Sequence, residues 1–231
     1  MSQTKVISLG GSIIVPDKVD SDFLLAFRVT ILEYLERNPS NRLILVCGGG
    51  APAREYQQAY RTVIPEADAD VLDWIGIAAT RLNAELLKQL FRDFCLEQVI
   101  TDPTAVSVFP GRVLVAAGWK PGFSTDYDAV LLAERFQADT LLNLSNITKV
   151  YTGDPKVDPK AEPLDRLSWQ EFQKLVGSTW KPGINVPFDP VATERAAQIK
   201  LRVIVAGGRN IDNLKKILYD QEFEGTVIGP D

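Results

Sequence analysis

The stretch Lys5-Val6-Ile7-Ser8-Leu9-Gly10-Gly11-Ser12 decides how the rest of the chain is read. Its apolar, β-branched start fits a buried strand over Lys5 to Leu9, and the paired glycines end that strand at once. The same junction recurs where Leu43 to Cys47 meets Gly48-Gly49-Gly50 and where Val203 to Ala206 meets Gly207-Gly208. In a parallel sheet, ligands bind beyond the carboxyl ends of the strands. Glycine there lets the backbone approach a phosphate, and a following helix offers its unpaired N–H groups. Glycine is also common in strand-to-helix turns, so a single junction decides little. Two junctions early in the chain, the second followed by Pro52-Ala53-Arg54, favour phosphate. Neither GxxxxGK[ST] nor GxGxxG occurs, which disfavours a P-loop NTPase and a standard dinucleotide-binding domain.

Outward from these junctions, short apolar runs alternate with amphipathic ones. Helices are expected over Ser21 to Arg37, where Phe23, Leu24, Phe27, Ile31 and Leu35 keep a 3.6-residue period, and over Pro52 to Tyr60. Asp70 to Phe94 reads as a long helix, irregular near Gly76, and Asp126 to Gln137 as another. Ser168 caps a helix from Trp169 to Val176, with Glu171 at the capping-box position, and helices over Asp189 to Ile199 and Ile211 to Tyr219 follow. Further strands are expected at Gln98 to Thr101, Arg112 to Ala116, Thr140 to Leu144, Arg202 to Ala206 and Gly225 to Ile228, with a short extended piece at Lys149 to Thr152. The alternation implies an α/β fold, a mostly parallel sheet between helical layers. With 231 residues and about 150 per domain, one domain or two are possible. The loop from Gly153 to Asp165 carries three prolines, but strands and helices resume after it, so a single domain over residues 1–231 is expected, with softer halves meeting near residue 138.

Composition removes whole classes of chemistry. Histidine is absent, which excludes Ser-His-Asp and Cys-His nucleophiles, HExxH metalloproteases and histidine acid–base catalysis. Cys47 and Cys95 have no partner at metal-ligand spacing and read as buried thiols, so no protein metal site is expected. Lys and Arg number 25 against 30 Asp and Glu, so a nucleic-acid surface is not expected, although small anions can bind in local positive pockets. The longest uncharged runs, Val6 to Pro16 and Leu43 to Ala53, have 11 residues each, too short to span a bilayer. The first residues, Met1 to Lys5, lack the pattern of a secretory signal, and the cytoplasm is the expected location.

Five segments in order carry a family resemblance: Val6 to Ser12, Gly48 to Arg54, Asp73-Trp-Ile-Gly-Ile77 with Thr80 and Asn83, Ser124-Thr125-Asp126, and Val150 to Lys156 with Asp158-Pro159. Together the series resembles the amino acid kinase superfamily and, within it, the uridylate kinases of the archaeal-type branch. The resemblance implies an αβα sandwich that transfers the γ-phosphoryl group of ATP to UMP with Mg²⁺, usually as a hexamer. Its nucleotide partners are small molecules. Such transfer asks for positioning and charge neutralisation, which a histidine-free chain can supply.

By that resemblance the half before residue 138 binds the acceptor and the half after it binds ATP. Gly10, Gly11 and Ser12 would lie against the transferring phosphoryl group, with Ser8 and Gly10 also on the ATP side. A side chain at Gly11 is expected to exclude the ligand while leaving the fold intact. Gly48, Gly49 and Gly50 would offer amides to the acceptor, Arg54 would pair with its phosphate, and Asp73 would hold its ribose hydroxyls. Gly118, Trp119, Lys120 and Thr125 belong to the acceptor loop. Asp126 would organise the catalytic groups, whereas Asp128 matches no family acid and reads as a plain acid in the first turn of a helix. Lys149, Tyr151, Asp154, Pro155 and Lys156 match the segment that packs on adenine and ribose. For several of these a structural role is the competing reading: a solvated helix arginine for Arg54, a helix-start acid for Asp73, and loop chemistry for Tyr151 and its neighbours.

The chain also departs from the family. Ser8 stands where most members place a lysine, so a substitute cation is required, with Lys5, Lys120, Lys149 and Lys156 as candidates. Lys149 and Thr148 replace a glycine and an acid in the nucleotide loop, and Trp119 and Lys120 replace small or polar residues in the acceptor loop. Three readings therefore stand: a UMP kinase, a kinase of the same fold with another small phosphate or carboxylate acceptor, and a non-catalytic nucleotide-binding or storage member.

Overall fold

Val6, Ile7 and Leu9 have no solvent exposure, because the first strand, β1 (Thr4–Leu9), lies in the middle of a sheet and sends alternate side chains into two cores. The structure is a computed structural model and describes residues 4–155, 157–176 and 186–230. After β1 come a one-turn helix, α1 (Gly11–Ile14), then α2 (Ser21–Arg37), β2 (Arg42–Cys47), α3 (Gly50–Val63) and α4 (Ala69–Leu90). Next are β3 (Val113–Ala116), α5 (Thr125–Arg135), β4 (Thr140–Ser145), β5 (Val150–Tyr151), β6 (Pro163–Leu164) and β7 (Arg166–Leu167). The chain closes with α6 (Trp169–Val176), α7 (Pro190–Gln198), β8 (Arg202–Gly207), α8 (Ile211–Leu218) and β9 (Thr226–Ile228).

The main sheet has the order β3-β2-β1-β4-β8-β9-β7, parallel from β3 to β8, with β9 antiparallel to β8. Along β1, Ile7 and Leu9 join Phe27 and Ile31 of α2, Leu87 of α4 and Ile217 of α8 in one core. Val6 faces the other way, into a core with Val130 of α5, Phe172 of α6 and Ala196 of α7. Two helical layers thus enclose the sheet, the expected αβα sandwich. Full burial of a side chain such as Phe27 stabilises the fold by roughly 1.5–3 kcal/mol relative to exposure.

Local rules hold where the signals are strong. The α2 bounds coincide with the expected Ser21 to Arg37, and the α6 capping box forms, with Ser168 Oγ accepting from Glu171 N at 3.2 Å and Glu171 Oε2 accepting from Ser168 N at 2.8 Å. Three expectations fail. Gln98 to Thr101 is not a strand: Ile100 alone bridges Ala116, and Asp102 Oδ1 accepts from Thr104 N at 2.8 Å, turning the chain away before Pro103 could continue a ladder. The α4 helix runs unbroken through Gly76 and ends at Leu90 rather than Phe94. A Cβ at Gly76 would lie 2.8 Å from Gln57 Nε2, so this glycine serves close packing between α3 and α4. Finally, α3 begins at Gly50 rather than Pro52.

Candidate active site

The strand register sets the glycine junctions side by side. Leu9 is opposite Cys47 of β2 and Leu144 of β4, and Ser145 is opposite Gly207 of β8. The backbone joins them: Gly10 N donates to Leu144 O at 2.8 Å, Gly48 N to Leu9 O at 3.0 Å and Gly208 N to Ser145 O at 2.8 Å. Here Ser8, Gly10, Gly11, Ser12, Gly48, Thr125 and Asp126 line one cleft of about 280 Å³. Seven residues expected at the site from three separate segments thus meet in one place.

The glycines have a second reason for being glycine. A Cβ on Gly11 would lie 2.0 Å from Gly50 N and 2.6 Å from the carbonyl carbons of Gly48 and Gly49. Gly50 has φ +70°, a left-handed conformation that favours glycine, and a Cβ there would meet Gly11 O at 2.5 Å. The two loops pack backbone on backbone. The expectation that a side chain at Gly11 leaves the fold intact is therefore corrected, because any side chain there pries the loops apart. Asn83 Nδ2 secures the second loop by donating to Gly48 O at 2.8 Å and Gly49 O at 3.2 Å.

The N-terminus of α5 delivers the acid. Ser124 caps the helix by accepting from Tyr127 N at 3.2 Å, and Asp126 Oδ1 accepts a 2.9 Å hydrogen bond from Ser8 Oγ. Burial pushes the Asp126 carboxyl up to about 6; the Ser8 hydroxyl opposes the shift and the charge of Asp189 adds to it. Asp128 is not the plain helix-start acid of the sequence reading. It is fully buried, its Oδ2 accepts from Trp119 N at 3.1 Å, and its Oδ1 has no hydrogen-bond partner among the described residues. Burial raises it to about 7 against that hydrogen bond, with the charges of Asp126 and Asp102 adding to the rise. Three residues missed in the sequence also belong here. Asn143 lines the cleft and donates to Pro187 O at 2.9 Å, Ser145 lines it too, and Asp189 caps α7 by accepting from Ala192 N at 2.7 Å. An asparagine in mid-strand and a buried helix cap were the available signals.

Of the residues expected to bind the acceptor, Arg54 is exposed yet tethered, donating to Ser12 Oγ at 3.2 Å and to Pro16 O at 3.4 Å. Asp73 Oδ2 accepts from Gly122 N at 2.9 Å, and Thr80 Oγ1 accepts from Gly118 N at 2.9 Å, so α4 holds both ends of the Gly118 to Gly122 turn. In that turn Lys120 Nζ sits 3.8 Å over the Trp119 ring, which also packs against Phe123 at 5.2 Å between centroids. Of the residues expected to bind ATP, Lys149 Nζ pairs with Asp165 and lines a second cleft, of about 510 Å³, with Asn210, Asn213 and Lys216. Tyr151 lies on β5, and Asp154 O accepts from Asp158 N at 2.8 Å in the turn with Pro155. Lys156 lies outside the described residues.

Of the substitute cations proposed from sequence, the three that are described, Lys5, Lys120 and Lys149, are engaged elsewhere. Lys5 is buried at the opposite end of β1, 3.7 Å from Asp139 and 3.5 Å from Asp220. It lies three steps along the strand from Ser8, roughly 10 Å. Lys149 is held by Asp165, and Lys120 lies on Trp119. Among the described residues no group of three or more His, Cys, Asp or Glu could hold a metal ion, and no helix is long and apolar enough to cross a membrane.

Residues 3–207 match the family model described as the amino acid kinase family. The chain is 36% identical to the uridylate kinase of Thermoplasma acidophilum, covering 100% of this chain and 99% of that protein. It is 31% identical to the uridylate kinase of Pyrococcus abyssi, covering 97% and 99%. The crystal structure of uridylate kinase from Archaeoglobus fulgidus superposes with a TM-score of 0.81 at 35% identity, covering 97% of this chain and 99% of that one. UMP kinase from Bacillus anthracis, 21% identical with a TM-score of 0.78 over 99% and 96%, shares the fold.

Proposed function

The chain belongs to the amino acid kinase family, and from that membership we propose that it is a phosphotransferase that moves the γ-phosphoryl group of ATP to UMP, giving UDP and ADP. The observation that carries this reading is the full-length likeness to archaeal uridylate kinases. In the transfer, a phosphate oxygen of UMP forms a bond to the γ-phosphorus as the bond to the β,γ-bridging oxygen breaks, and ADP leaves with that electron pair. No side chain becomes covalently modified.

The division of labour follows the two halves of the chain. Arg54 pairs with the phosphate of UMP, the amides of Gly48 to Gly50 approach it, and Asp73 accepts from ribose hydroxyls while steadying the Gly118 to Gly122 turn. Gly10, Gly11 and Ser12 offer backbone to the transferring group, and the segment from Lys149 through Pro155 receives adenosine. Asp126, oriented by Ser8, fixes the groups around the reacting phosphorus. Asp126, oriented by the Ser8 hydroxyl, would be the carboxylate that faces Mg²⁺ carried in with ATP, and the ion would supply neutralisation of phosphate charge.

A homo-oligomer, a hexamer by the family resemblance, and a cytoplasmic location complete the proposal. Tyr56, Trp74 and Leu82 expose large apolar surfaces on α3 and α4, which supports contact between copies. A coupled assay of ADP release across a panel of acceptors tests the function. UMP should stimulate release from MgATP far more than carboxylate or other phosphate acceptors, and a preference for one of those would reject UMP as substrate.

A further inference from the structure

The cleft at Gly10 to Ser12 has one charged side chain among its described lining residues, and it is the carboxylate of Asp126. A triphosphate entering such a cleft needs positive charge from the rim. Two guanidinium groups reach that rim, and both touch Ser12. Arg54 Nη1 donates to its hydroxyl at 3.2 Å, and Arg209 Nη2 donates to its carbonyl oxygen at 3.5 Å. Arg54 serves the acceptor phosphate, which leaves Arg209.

Arg209 reaches Ser12 through the third glycine junction. A Cβ on Gly208 would lie 2.9 Å from Ile13 Cγ1 and 3.1 Å from the Leu144 carbonyl carbon, so glycine at 208 lets the turn after β8 settle against α1. Gly208 N donates to Ser145 O, a cleft residue, at 2.8 Å. Asp20 fixes the arginine head: Arg209 Nη1 donates to Asp20 Oδ2 at 2.8 Å, while Asp20 Oδ1 caps α2 by accepting from Phe23 N at 3.0 Å. The Arg209 side chain keeps 47% of its surface exposed. A guanidinium carries five N–H donors, so these two bonds leave others for an anion.

We propose that Arg209 supplies, to the γ-phosphoryl group, the positive charge that Ser8 does not, and that Asp20 is its positioning residue. The inference rests on the nucleotide-kinase reading above. Arg209 forms no covalent bond and keeps its protons throughout, stabilising charge on the transferring oxygens.

The test compares Arg209→Gln, Arg209→Lys and Asp20→Asn with wild type by titration calorimetry, using Mg²⁺ with the non-hydrolysable triphosphate AMPPNP and with ADP, alongside kcat and KM for UMP phosphorylation. Arg209→Gln should lose the preference for AMPPNP over ADP and lower kcat by about 10²-fold or more, with KM for UMP little changed. Arg209→Lys should restore part of both. Asparagine still caps a helix, so Asp20→Asn should break the ion pair without lowering Tm, yet reduce kcat. An Arg209→Gln protein that keeps the wild-type preference for AMPPNP overturns the inference, as do equal losses of ADP and AMPPNP affinity in both Arg209 variants. The binding comparison needs no acceptor. If wild type makes no UDP from UMP but Arg209→Gln abolishes AMPPNP preference, the acceptor assignment fails and the role of Arg209 stands.

Discussion

Ser8 Oγ donates to Asp126 Oδ1 at 2.9 Å across 118 residues of sequence, tying β1 to the start of α5 at the mouth of the cleft. The carboxylate is thereby aimed at the place where Gly10 and Gly11 end the strand. Asp126→Asn should lower kcat by about 10²-fold or more, the scale of losing one preorganised electrostatic group, with a small change in Tm. Asp128→Asn should keep kcat within about tenfold, because an amide can still accept from Trp119 N. Equal losses in the two variants would erase the distinction between these acids.

Gly11→Val should lose stability as well as activity. Its Cβ would stand 2.0 Å from Gly50 N, and the obstacle is backbone that no rotamer change can move. Overpacking of this kind destabilises by about 1–3 kcal/mol or more, which for a chain of this size lowers Tm by roughly 3 °C or more. Thermal unfolding checks it, and a variant with wild-type Tm would show that the two loops yield easily.

Trp119→Ala should weaken UMP binding about fivefold or more, since stacking on a base contributes roughly 1–3 kcal/mol in nucleic-acid complexes. Asp128 accepts from the Trp119 backbone N–H and Lys120 lies over its indole, which fixes the residue in the Gly118 to Gly122 turn. Calorimetry with UMP decides: tighter binding would mean that the ring fills the base pocket and that a smaller acceptor belongs there, and unchanged binding would give Trp119 a purely structural role.

Buried Asp128 makes stability depend on pH in a definite direction. Its folded pKa, about 7, lies above the unfolded carboxylate value of 3.8, so between those values the native state binds more protons than the unfolded state. Stability contributed by this group is present at acid pH and is lost as pH rises through the window. Asp128→Asn removes the titration. From pH 5 to pH 8, its stability relative to wild type should rise by about 1–3 kcal/mol, each pKa unit being worth about 1.4 kcal/mol. Urea unfolding at both pH values measures this, and a pH-independent difference would contradict it.

The sandwich was legible because β1, β2, β4 and β8 are short apolar runs that each end in a loop, and because α2 and the Ser168–Glu171 capping box obey local rules. The Gln98 to Thr101 strand was misread because its apolar residues suit an edge that a local turn at Asp102 then cuts short. The place of Asp126 in the cleft was legible through its motif. Asp128 was not, since helical position says nothing about what packs above it. The contact between Arg209 and Asp20 spans 189 residues and no local pattern foretells it. Gly11 was half legible: its need for glycine was clear, but the neighbour that enforces it, the Gly48 to Gly50 backbone, appears only when β1 and β2 align.

Phosphorus NMR of the purified protein with UMP, ATP and Mg²⁺ follows the transfer itself. The two phosphorus signals of UDP should grow in step with ADP as the UMP signal falls, and this conversion should largely disappear in Asp126→Asn. ATP consumed with the UMP signal intact, or UMP and ATP both unchanged under conditions where ATP binds, would contradict it.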